Sequence, residues 1–181
     1  LNIAIIGVGT VGSSVAQILE DNKDIITARA GCELVATVGV VSNLNKQRDV
    51  NIRLTDDIDS VLNDDSIDIV VELMGGVDKA YEVVKKALQN KKAVVTANKA
   101  LLAYHRYELQ DIAGDTAFEY EAAVAGGIPI VNALRDGLGA NHILGIKGIM
   151  NGTCNYMLTK MINEGVEYDQ ILKESQELGY A

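Results

Sequence analysis

The chain is short of several things, and each shortage narrows the reading. It has one proline in 181 residues and no low-complexity stretch, so there is no candidate linker and any domain boundary must be tight. Its two cysteines, Cys32 and Cys154, show no short metal-type spacing, and free cytosolic thiols are expected rather than a disulfide. Its two histidines, His105 and His142, lie in different settings with no nucleophile pattern beside them, so neither is assigned a catalytic role. Lys plus Arg number 16 against 25 Asp plus Glu, a net charge of −9. That balance speaks against nucleic acid and anionic membrane surfaces, although a local basic pocket remains compatible with it. No apolar run reaches the roughly 20 residues needed to cross a bilayer, and the apolar start lacks a basic leader. A soluble, cytoplasmic protein is expected. Leu1 stands where a Met would begin a chain, which points to a missing start.

What the sequence does hold is apolar residues, at 48%, enough for a sizeable core. They alternate between two periods. β-rich runs cover 2–6, 33–41, 67–74 and 92–96, with a weaker one at 51–54. Helical spacing intervenes at Val11, Val15, Ile18 and Leu19, at Tyr81, Val84, Lys85 and Leu88, and over 101–112. This alternation predicts an α/β fold, a Rossmann-type doubly wound parallel sheet with helices on both faces. After about residue 115 the character changes. A strand over 117–124, a helix near 130–138 and a strand over 142–150 are expected. Two helices follow, the first with Cys154, Met157, Leu158, Met161 and Ile162 on one apolar face. Residues 1–130 thus read as a dinucleotide-binding domain and 131–181 as the first part of an α+β substrate and dimerisation domain.

Gly7-Val8-Gly9-Thr10-Val11-Gly12 follows a strand and opens a helix. The first glycine permits the tight turn, the second lets a pyrophosphate approach the backbone, and the third lets helix and strand pack. The free N–H groups and dipole of the helix N-terminus favour the phosphates. The second strand ends without the acid that usually marks NAD specificity. Ser42, Asn43, Lys46 and Arg48 could receive a 2′-phosphate there, or the two cations are simply solvated loop charges. NADP is preferred over NAD on this ground. Met74 and Gly75 end the third clear strand, where ligands lie in doubly wound sheets, and Lys99 ends the next one, where it could orient a substrate or touch the nicotinamide ribose. In residues 121–129, carbonyls plus a carboxylate suit a hard cation, although the chemistry alone favours a tight structural turn. Asn151-Gly152-Thr153 could present N–H groups and a hydroxyl to a carboxylate, or Thr153 could simply cap a helix.

Together these stretches resemble homoserine dehydrogenase. The resemblance rests on the glycine fingerprint, on Val94-Val95-Thr96-Ala97-Asn98-Lys99, on the block from Glu121 through Val124, Gly126 and Ile128 to Pro129, and above all on Gly148-Ile149-Met150-Asn151-Gly152-Thr153-Cys154-Asn155-Tyr156. It implies reversible hydride transfer between NADPH or NADH and aspartate semialdehyde to give homoserine, in the threonine and methionine branch of amino-acid biosynthesis, by a homodimer. It implies that Lys99 sits at the cofactor–substrate junction as an orienting or stabilising cation. It implies that Gly152, Thr153 and Tyr180 face the substrate and that Gly179 borders the cofactor. A monovalent cation, usually sodium, is implied at Glu121, Val124, Gly126 and Ile128. In the family the segment continues into a glutamate that binds the substrate amine, then an aspartate and the principal catalytic lysine. The sequence stops at Ala181, so a fragment with little turnover of its own is expected. Asn43 departs from the arginine of many NADP-using members. Competing readings are a related dehydrogenase acting on aspartate or a semialdehyde, the latter needing a reactive cysteine where Cys154 reads as core, and a non-catalytic NAD(P)-binding module.

Overall fold

The computed structural model describes residues 1–180; Ala181 lies outside the described residues. Six strands form one sheet: β1 (Asn2–Ile6), β2 (Val35–Val40), β3 (Arg53–Thr55), β4 (Ile69–Glu72), β5 (Ala93–Thr96) and β6 (Phe118–Glu119). Their order is β3-β2-β1-β4-β5-β6, and every pair is parallel. Parallel neighbours need crossovers. These contain α1 (Thr10–Asp21) and α2 (Lys23–Ala30), then α3 (Ile58–Leu62), α4 (Asp78–Gln89) and α5 (Lys99–Ala113). The expected doubly wound sheet is therefore observed.

The strands read as continuous apolar runs because both sheet faces are covered. In β1, Ala4 and Ile6 join one core with Val70, Val94 and the helix residues Val84, Leu88 and Leu101. Ile3 and Ile5 point to the other face and meet Val8, Ala16 and Val71. Helix α4 buries Ala80, Val83, Val84, Ala87 and Leu88, at i, i+3, i+4, i+7 and i+8. Of the expected stripe Val84 and Leu88 lie on this face, while Tyr81 and Lys85 are only half-buried beside it. Helices α2 and α3 were not anticipated. The former buries no residue, so it carries no stripe. The latter is a short turn fixed by Asp57, whose side chain accepts from the Ser60 N–H at 3.0 Å.

The chain divides into two compact units, Leu1–Gly137 and Leu138–Ala181. Towards the end of the first, the strand expected over 117–124 shrinks to β6, paired with β5 through Val94↔Phe118 and Val95↔Glu119. A single tight turn at Glu121–Ala123 follows, and then the left-handed residues Ala125 and Gly126 turn the chain sharply. A short helix α6 (Ile130–Asn132) widens into the turn Ala133–Gly137.

In the second unit α7 (Gly152–Glu164) and α8 (Tyr168–Glu177) pack together, with Met157 and Ile171 buried. Two expectations fail here. Residues 142–150 form no strand. A ladder requires a partner for its N–H and C=O groups, and none pairs with them among the described residues. Cys154 is exposed rather than core, because α8 covers α7 near Met157 while leaving Leu158 and Ile162 open.

Candidate dinucleotide site

Strand order reverses between β1 and β4, and a cavity of about 520 Å³ opens beyond the ends of the neighbouring strands. Gly7, Val8 and Gly9 form one wall, Ser42, Lys46 and Arg48 another, and Met74 and Gly75 a third. This is where a doubly wound sheet offers a crevice to ligands.

The three glycines do different work. Gly7 has φ +101°, and a Cβ there would lie 2.7 Å from the Leu73 carbonyl oxygen, so both the turn and the approach to β4 require glycine. A Cβ on Gly12 would collide with the Gly7 carbonyl. On Gly9 it would meet nothing within 4 Å, which leaves room above the loop. Gly9 is also the N-cap of α1, which has no side-chain cap and no acid in its first turn. In α3, α5 and α7 an Asp or Asn side chain fills that role. The first N–H groups of α1, over Thr10, Val11 and Gly12, are thus left for an anion.

Arg48 is neither a free cation nor a solvated loop charge. Its Nε donates to the Val8 carbonyl at 2.7 Å, and one Nη to the carbonyls of Asn43 and Lys46 at 2.9 and 2.8 Å. It curls residues 43–48 against the glycine loop. Asn43 does not line the cavity; its side-chain oxygen accepts from the Asn45 N–H. Lys79 and Asp56 do line it, and neither was anticipated. The position of Lys79 in the first turn of α4, just past Gly75 and Gly76, was the available signal. Asp56 follows a three-residue strand too weak to locate it.

Glu72 and Thr96 end β4 and β5 side by side in the ladder. Both are fully buried. Burial pushes the Glu72 carboxyl above its ordinary value, while hydrogen bonds from Thr96, the Met74 N–H and Asn98 pull the other way. Lys99 follows at the start of α5, exposed and outside the cavity lining.

In the Glu121 loop both carboxylate oxygens are engaged, accepting from the Val131 and Asn132 N–H groups at 2.9 and 2.7 Å. The Ile128 carbonyl accepts from Ile130. The Val124 and Gly126 carbonyls accept no hydrogen bond among the described residues, so two oxygens remain for a cation and the other two would have to be shared. No cluster of three His, Cys, Asp or Glu side chains suited to a metal exists among the described residues, nor is any helix long and apolar enough to cross a membrane.

In the second unit Asn151, not Thr153, caps α7, accepting from the Cys154 N–H at 2.8 Å. The Thr153 hydroxyl donates instead to the Tyr180 carbonyl. Gly152, Thr153, Gly179 and Tyr180 are thereby brought near one another, with Gly179 at φ +75°.

Comparison with known proteins fits this arrangement. Residues 7–122 match the family model of the homoserine dehydrogenase NAD binding domain, and residues 129–181 match that of homoserine dehydrogenase. The homoserine dehydrogenases of Helicobacter pylori and Bacillus subtilis are 51% and 40% identical over the whole chain, which spans 43% of each. The crystal structure of a homoserine dehydrogenase from Thiobacillus denitrificans superposes with TM-score 0.94 at 44% identity, over all of this chain and 43% of that one. A hyperthermophilic archaeal homoserine dehydrogenase, solved in complex with NADPH, gives 0.82 at 27% identity, over 99% of this chain and 61% of that one. The sheet, the glycine loop and these matches agree, and the chain belongs to the homoserine dehydrogenase family, whose NAD-binding domain it carries.

Proposed function

We propose that this chain supplies the cofactor half of an enzyme that interconverts aspartate semialdehyde and homoserine. The observation that carries the reading is the uncapped N-terminus of α1, set behind Gly7 and Gly9 on the wall of the cavity at the strand reversal. When bound there, a nicotinamide dinucleotide supplies or accepts the hydride. The loop of Gly7 to Gly12 holds its pyrophosphate, and Met74 and Gly75 border it. Ser42 and Lys46 face the adenosine ribose, and with no acid at the end of β2 they favour NADP over NAD. Lys99 acts as an orienting cation for the carbonyl oxygen, where charge develops during transfer. Gly152, Thr153 and Tyr180 contact the substrate, and Gly179 the cofactor edge. A monovalent cation sits at Glu121, Val124, Gly126 and Ile128. The dinucleotide domain runs over 1–130 and the substrate domain starts at 131. The working form is a cytoplasmic homodimer, with the principal proton-donating lysine outside these 181 residues.

The test pairs two measurements, NADPH and NADH binding by fluorescence and homoserine oxidation, on these 181 residues and on a chain of the relatives' full length. Both chains should bind NADPH at least as well as NADH, and only the longer one should turn over. Loss of a proton donor typically lowers rate by about 10²–10⁴. Rapid turnover by the 181 residues alone would overturn the placement of the chemistry.

A further inference from the structure

Glu72 is a buried carboxylate with no ion-pair partner among the described residues. Its neighbours across the ladder are Ile6 and Thr96, and an apolar side chain would fill the position without the cost of burying a charge. What the carboxylate adds is a closed ring of hydrogen bonds. One oxygen accepts from the Met74 N–H at 2.7 Å and the other from the Thr96 hydroxyl at 2.5 Å. The Thr96 oxygen in turn accepts from the Asn98 N–H at 3.0 Å. The Asn98 side chain donates to the Gly76 carbonyl at 2.7 Å and accepts from the Leu101 N–H at 3.0 Å, capping α5. The ring therefore ties the loop from Met74 to Gly76, on the cavity wall, to the helix start that carries Lys99.

We propose that Glu72, in its ionised form, is a positioning residue that holds this loop and the start of α5 for the nicotinamide end of the cofactor, and that its protonation weakens cofactor binding. The proposal rests on reading the cavity as the NAD(P) site. The ring requires an acceptor at both carboxylate oxygens. A proton on the oxygen facing Thr96 would have to be donated to a hydroxyl oxygen that already receives the Asn98 N–H, and the Thr96 hydrogen would then need another acceptor. Burial raises the carboxyl's affinity for that proton. Charged residues near the ring in sequence or in the cavity lining include Asp78 and Lys79 at the start of α4, Lys99 at the start of α5 and Asp56, and none forms an ion pair with Glu72. The adjacent register positions of β1 and β5 carry none.

The experiment titrates NADH binding from pH 5 to 8.5 and follows the Met74 and Asn98 amide resonances without cofactor. NADH is used because it lacks the titrating 2′-phosphate. Wild-type affinity should fall on the order of tenfold towards acid, along the same curve as the two amides. E72Q, which mimics the protonated group, should bind weakly at every pH, with neither amide titrating. If E72Q fails to fold, the pair T96V and T96S replaces it: T96V should bind weakly and T96S normally. Wild-type affinity in E72Q or T96V, or amides that do not titrate, overturns the positioning role while leaving the cavity assignment intact. Failure of the wild type to bind NADH or NADPH at any pH would instead remove the cavity assignment, and the proposal with it.

Discussion

The two units of this molecule carry similar apolar patterns and do different things with them. In Leu1–Gly137 most patterned residues are buried: Ile5, Leu88, Leu101 and Leu109 have no exposed surface. In α1, however, the expected stripe is open, with Val11 58% and Ile18 53% exposed and Gly12 and Ala16 facing the sheet instead. In Leu138–Ala181 the α7 stripe is regular and 142–150 alternates imperfectly, yet Leu144 is 98% and Met150 94% exposed, and of the α7 stripe only Met157 is buried. Periodicity reports which face of an element wants a partner. Whether the partner exists is a property of the rest of the fold. The first unit provides it on both sides of a six-stranded sheet; in the second, among the described residues, one helix covers another.

The sharpest way to break that contrast is a matched pair of truncations. Leu88→Ala removes a fully buried side chain and should cost about 2–5 kcal/mol, including the cavity left behind. Leu144→Ala should change stability by no more than about 0.5 kcal/mol. Urea unfolding of the 181-residue chain measures both. Equal losses would mean that residues 142–150 are packed after all.

Next in size is the contrast within the glycine loop, which asks whether the first unit's rigidity serves a ligand. Gly9→Asp places a carboxylate in open space, so the fold should survive while NADPH affinity drops by more than about tenfold through repulsion of the pyrophosphate. Gly12→Ala meets the Gly7 carbonyl and should lower stability by roughly 1–3 kcal/mol, taking binding with it. Calorimetric titration and thermal melts separate the two. Gly9→Asp with unchanged affinity would show that the anion site lies elsewhere.

The same division explains what the sequence made legible. The sheet, its strand order class and the walls at Gly7, Gly9, Met74 and Gly75 followed from period, strand ends and glycine spacing, because the strands of the first unit are covered on both faces. The α1 stripe was misplaced, since its small residues Gly12 and Ala16 pack closely where Val11 and Ile18 were expected. The solvated-charge reading of Arg48 failed because charge alone does not reveal that a guanidinium will find three backbone carbonyls. Glu72 was seen only as a strand end, since the ring through Thr96 and Asn98 joins segments 22 and 24 positions apart. Cys154 and residues 142–150 were misread for the opposite reason, a correct pattern without a cover.

A smaller effect probes the cost of Glu72 to the rigid unit. Its carboxyl is raised from 4.5 by burial. A group whose affinity for the proton is higher folded than unfolded stabilises the fold below its unfolded value and loses that contribution as pH rises through the folded one. The melting temperature of wild type minus that of Glu72→Gln should therefore be most favourable near pH 4.5 and decline toward pH 8. This is the reverse of the trend expected for cofactor binding. A difference that grows with pH would mean that the Thr96 and Met74 hydrogen bonds outweigh desolvation.

The smallest expected effect lies where the first unit ends, in the loop from Glu121 to Ile128. Two of the four proposed ligands are partly spent: the Glu121 carboxylate holds the Val131 and Asn132 N–H groups, and the Ile128 carbonyl accepts from Ile130. Among the described residues the Val124 and Gly126 oxygens accept no hydrogen bond, and the left-handed pair Ala125 and Gly126 shapes the turn between them. A monovalent cation held this way should bind weakly. At a concentration equal to its dissociation constant it contributes about 0.4 kcal/mol, on the order of 1–2 °C for a chain of this size. Melting in sodium, potassium and a bulky organic cation at equal ionic strength should rank the first two above the third. Glu121→Gln should remove the ranking, because it withdraws the only formal charge in the set while leaving one oxygen to accept from the helix start. Identical melting in all three salts would make this loop a turn whose glycines serve the backbone alone.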